Sequence, residues 1–135
     1  MLTDKEVKIE SGQYTVEEGI LHVKIEDKDS EGFNMNDAKE HISTYSRFRK
    51  LYGSIPEILD LRNFNSLLDV EILKHIGLQS YKQKKNQGPR AYIIKSMTTL
   101  MQLDLFLKLS INGYFTQIFE CEVEAKKWLS EFVKE

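Results

Sequence analysis

The first 26 residues alternate. Val7 and Ile9 are separated by charged side chains, and Tyr14 and Val16 follow the same rhythm. Ile20 to Ile25 then alternates strictly between two sides. A period of two marks strands with one buried face. Glu18-Gly19 lies between two such runs and predicts a hairpin turn. The pattern then changes to spacings of three and four: Ala38, Ile42, Tyr45, Phe48 and Tyr52 share one helical face. Asn34 or Asn36 is placed to cap that helix, and Gly53 to end it.

The rest of the chain alternates short apolar runs with amphipathic ones. Ile55–Leu61 and Ala91–Ile94 read as strands buried on both faces. Val70, Leu73, Ile76 and Tyr81 form a second helix, with Ser66 or Asp69 as its cap. A third helix begins near Thr98 or Thr99 and ends at Asn112-Gly113. Tyr114–Phe119 predicts the last strand and Glu122–Val133 the last helix. The order is three strands followed by four helices alternating with three strands. It predicts an α/β domain spanning residues 1–135. Its sheet is mixed and mainly parallel, with five to six strands, four helices and an N-terminal antiparallel hairpin.

Three strings resemble the STAS-like fold of sulfate-transporter tails and anti-sigma-factor antagonists: EEGILHVKI, EILDLRNF and QIFECEVEAKKWL. Together with the element order they are similar to bacterial single-domain STAS-like proteins. The resemblance implies a non-catalytic protein-interaction module, often a regulatory switch. In the antagonists, a serine at the start of the helix after the DL strand is phosphorylated by a partner kinase. Here that turn reads DLRNFNSLLDVEIL. The switch position falls near Asp69, Ser66 lies three residues earlier, and Arg62 and Asn63 begin the turn.

Charge and composition narrow the function further. The net charge is −2, from 19 basic and 21 acidic residues, without the basic excess of a nucleic-acid binder. The basic run Lys82, Lys84, Lys85 and Arg90 reads as a solvated helix end. One cysteine, Cys121, fits a reducing compartment, and a cytoplasmic location is expected. The run from Met97 to Ile111 is too short and polar to span a bilayer. His22, His41 and His75 lie on three different elements, and no metal, cofactor or nucleophile motif appears. Catalysis is not expected.

The third helix carries an unusual second stripe. Leu100, Leu103, Leu107 and Ile111 form one apolar side. Met101, Leu105 and Leu109 recur at i, i+4 and i+8 on another. That stripe is either covered by a neighbouring element or an interface. A homodimer is the simplest assembly it would serve. An alternative function is a carrier or sensor of a small apolar or amphipathic ligand, held by Met101, Leu105, Phe106 and Tyr114.

Overall fold

The early alternation becomes an antiparallel meander: β1 (Glu6–Ile9), β2 (Gly12–Glu17) and β3 (Ile20–Ile25) lie side by side. Glu18 and Gly19 both have positive φ, 53° and 78°. A two-residue turn with that backbone matches the twist of its strands. The computed structural model describes residues 6–27, 32–82, 88–109 and 116–133; the side chains of 80–81 and 106–109 are outside that description.

After the meander come α1 (Met35–Tyr52), β4 (Glu57–Asp60), α2 (Val70–Lys82), β5 (Arg90–Ile93), α3 (Met97–Leu109), β6 (Thr116–Phe119) and α4 (Glu122–Leu129). β3, β4, β5 and β6 pair in parallel. Strand order across the six-stranded sheet is chain order. The fold is thus α/β with a mixed sheet and four α-helices, as the patterning predicts.

Period two divides the side chains between two layers. Ile20, Ile58, Ala91 and Ile93 meet Ala125 and Leu129 of α4 on one face. Tyr14, Leu21 and Val23 meet Phe48 of α1 on the other. On that second face, Phe33, Ala38, Phe64 and Ile72 form one cluster, and Tyr92, Ile94 and Leu103 another. So α4 covers one side, and α1, α2 and α3 cover the opposite side. Each fully buried Leu or Ile contributes about 1.5–3 kcal/mol.

The helix ends show how local chemistry sets the boundaries. The Asn34 side chain accepts from the Asp37 N–H at 3.0 Å, and the Asn34 N–H donates to the Asp37 carboxylate at 2.9 Å. This reciprocal pair satisfies two otherwise orphaned donors. Gly53 ends α1 at φ 74°. Asp69, the expected switch position, caps α2 by accepting from the Ile72 N–H at 2.9 Å. α3 begins at Met97, earlier than expected, because Ser96 accepts from the Thr99 N–H at 3.1 Å. The expected long last helix tightens at Leu129 into a 3₁₀ turn over Ser130–Phe132. The expected end of α3 at Asn112-Gly113 lies outside the described residues.

Candidate ligand chamber

The sheet face under α1, α2 and α3 is incompletely filled. A cavity of about 180 Å³ lies there. Val23 and Ile25 of β3, Leu59 of β4 and Tyr92 of β5 line its floor. Ala38, His41 and Tyr45 of α1 form one wall, Leu73 and Ile76 of α2 another, and Thr99 and Leu103 of α3 a third. Most of this lining is hydrocarbon.

The loop between β4 and α2 closes part of the chamber and is firmly tied. The Gln102 side chain on α3 accepts from the Leu68 N–H at 2.7 Å and donates to the Ser66 carbonyl at 2.8 Å. The Thr99 hydroxyl donates to the Phe64 carbonyl at 2.8 Å. The Asn65 N–H and the Ser66 hydroxyl both reach the Asp27 carboxylate. Arg62 grips Asp60 through two side-chain bonds, at 2.9 and 2.7 Å. Burial would raise the Asp60 carboxyl, but those bonds and the Arg62 charge outweigh it and hold it below the usual range. Asn63 is exposed. Arg62, Ser66 and Asp69 thus each have a structural partner in or beside this turn.

His41 joins α1 to the meander. Its Nε2 lies 3.0 Å from the Ser11 carbonyl, and its Nδ1 lies 3.0 Å from the Tyr14 hydroxyl. The Tyr14 hydroxyl also lies 2.9 Å from the His41 carbonyl, so in a neutral imidazole Nε2 donates to Ser11 while Nδ1 and that carbonyl share the one Tyr14 proton. Burial lowers its pKa from 6.5 to about 4; the Ser11 bond and Asp37 oppose that only partly. Between those two values the unfolded chain takes up a proton that the folded one refuses. Stability is therefore expected to fall as pH drops from about 6.5 to about 4. The full loss from this residue is about 3 kcal/mol at roughly 1.4 kcal/mol per unit. Urea denaturation across that range should show a smaller slope with pH in His41→Asn than in wild type.

Beside the chamber lies a buried ionic cluster. Glu57 is 0% exposed, Arg49 5% and Arg90 7%. Both arginines pair with the Glu57 carboxylate. The Tyr45 hydroxyl donates to both Glu57 oxygens, at 3.1 and 2.9 Å, and accepts from Arg49 and Arg90. Arg90 also donates to the Tyr92 hydroxyl at 2.9 Å. The sequence reading of Arg90 as part of a solvated basic end is corrected here. Arg90 opens β5 beside Glu57 of β4, so pairing in the sheet carries it inside. Glu57 had no sequence signal beyond being a lone acid at the start of an apolar run.

The expected stripe on α3 faces outward. Met101 is 66% exposed and Leu105 48%, and Met97 extends the same spacing at 69%. Leu103 is buried and faces the chamber. Met101 and Leu105 are therefore not among the chamber's lining residues. The side chains of Phe106 and Leu109, and all of Tyr114, lie outside the described residues. Among the described residues no three His, Cys, Asp or Glu groups come together to hold a metal ion. No helix is long and apolar enough to cross a membrane.

Fold and chamber define an α/β domain with a six-stranded mixed sheet and an apolar void under three helices. No family model and no curated protein matches the chain. Among solved structures it is similar to an enoyl-CoA hydratase from Geobacillus kaustophilus HTA426. Identity is 12% and the TM-score 0.49, over 94% of this chain and 74% of that one. A likeness this distant does not bear on activity.

Proposed function

We propose that this domain binds a small, largely apolar ligand in the chamber beneath α1, α2 and α3. The observation that carries the reading is the void itself. Protein interiors are close-packed, with few voids larger than a water molecule. The chamber of about 180 Å³ is partly open, so without a ligand its hydrocarbon lining faces water, a loss of about 25 cal/mol per Å² of apolar surface. A ligand recovers that loss. An engineered apolar cavity of ~150 Å³ takes up benzene, so the chamber encloses roughly seven non-hydrogen atoms and its open side admits the end of a slightly longer molecule. The role is binding as carrier or sensor, without catalysis or cofactor. A cytoplasmic location belongs to the same proposal and rests on the single cysteine.

The test is thermal unfolding with 1-octanol. A saturating probe at 100 times its Kd adds about 2.7 kcal/mol and raises Tm by several degrees. Ala38→Leu extends a side chain into the void. It should keep or raise the Tm of the free protein and abolish the octanol response. A wild-type Tm unmoved by octanol up to its solubility limit would sink the reading.

A second reading is a STAS-like protein-interaction module, supported by the element order and by the exposed Met97, Met101 and Leu105. Its partner is a protein or a second copy of the chain; the charge balance does not favour nucleic acid. On this reading Leu105→Glu should lower the native mass from dimer to monomer with the circular dichroism unchanged. A mass identical to wild type would remove the dimer.

A further inference from the structure

The apolar lining accounts for a hydrophobic tail, but not for the charge at the chamber's edge. Arg49 and Arg90 supply two positive charges, and Glu57 supplies one negative. Glu57 is the carboxylate that both arginines meet among the described residues, and both its oxygens are engaged. His41, on the same wall, is held neutral by burial. Within this cluster one positive charge is therefore in excess, set against the Tyr45 and Tyr92 rings; Asp37, also buried, lies in the first turn of α1, about three turns from Arg49. An unbalanced buried charge is costly unless something pairs with it.

The excess faces the void. Arg90, Tyr45 and Tyr92 line the chamber, whereas Arg49 and Glu57 are not among its lining residues. Arg90 directs three N–H groups at Glu57, Tyr92 and Tyr45. A guanidinium carries five, so two remain. The Tyr92 hydroxyl accepts from Arg90, which leaves its own proton to donate. A planar cation with spare N–H groups beside a phenolic O–H suits a carboxylate, which accepts at both oxygens. We infer that the chamber's ligand is a monocarboxylic acid, its short apolar tail over the sheet and its carboxylate against Arg90 and Tyr92. This rests on the chamber being a binding site, as proposed above.

The experiment is calorimetric titration of the full chain at neutral pH with octanoate and with 1-octanol, which share a tail and differ in charge. Octanoate should bind at least tenfold more tightly. Arg90→Met leaves Arg49 and Glu57 as a neutral pair. The tenfold preference for octanoate over octanol should disappear. Octanol binding as tightly as octanoate to wild type would overturn the carboxylate assignment and leave the chamber standing. Binding of neither probe would overturn both. Should Arg90→Met fail to fold, Tyr92→Phe decides, because it keeps the ring in place. A fivefold or greater fall in the octanoate-to-octanol affinity ratio supports the site, and an unchanged ratio overturns it.

Discussion

Replacing Glu57 with alanine is expected to cost about 3–5 kcal/mol of folding stability. The carboxylate is fully buried between Arg49 of α1 and Arg90 of β5. Its removal leaves two guanidiniums in a low-dielectric interior with no anion between them. The Tyr45 hydroxyl loses its acceptor as well. The Asp60–Arg62 pair nearby is the contrast. Arg62 is about one-third exposed there, and water screens such a pair, so Asp60→Ala should lose about 1 kcal/mol or less. Urea denaturation of the two variants measures the difference. A Glu57→Ala loss no larger than that of Asp60→Ala would mean that water reaches the arginines. The carboxylate inference would then lose its electrostatic basis.

Gly12→Ala is expected to lose about 3 kcal/mol, from overpacking and a broken ladder hydrogen bond. Gly12 pairs with Ile9 on one side and Ile25 on the other. Space, not φ, is the constraint. A Cβ there would overlap the Lys24 carbonyl oxygen of β3 and lie 2.9 Å from Cε1 of His41. Backbone cannot yield as a flexible side chain does, so β2 and β3 must part locally. His41 would shift with them and move one wall of the chamber. A drop in the urea midpoint with weaker octanol uptake is the expected pair of results. An unchanged midpoint would show that the meander slides to make room.

How much of this was visible in the sequence depends on how local its cause is. The Glu18-Gly19 turn, the Asn34 cap, the Gly53 stop and the Asp69 cap act within a few residues of themselves, and the residue types reveal them down to a choice between Asn34 and Asn36 and between Ser66 and Asp69. Ser96 was missed because Thr98 and Thr99 are equally plausible caps. What selects Ser96 includes a tertiary bond, since the Thr99 hydroxyl reaches across to Phe64. Glu57 and Arg90 lie 33 residues apart and become partners only because β4 and β5 are adjacent. Each alone looks like an ordinary charge at the edge of an apolar run. The chamber was the least legible feature. A void is a shortage of volume among side chains from seven elements, and no spacing within one element records it. On α3 the spacing sets Met101 and Leu105 apart from Leu103, and those two are exposed, while the Leu109 side chain lies outside the described residues. That the chamber lies under the helix's other side, at Leu103, followed only from how α3 sits on the sheet.

Strand order equal to chain order has a consequence for how the molecule comes into being on the ribosome. Hairpins close in about 1–10 μs, whereas synthesis delivers about 5–20 residues per second. The meander therefore has ample time to form before α1 is complete. β4, β5 and β6 then each emerge opposite a strand that is already in place and unpaired on one side. No strand has to be inserted between two earlier ones, and none waits for a distant partner. Each parallel addition still has to close a crossover that carries a helix, so the meander forms fast and the three parallel strands join it more slowly.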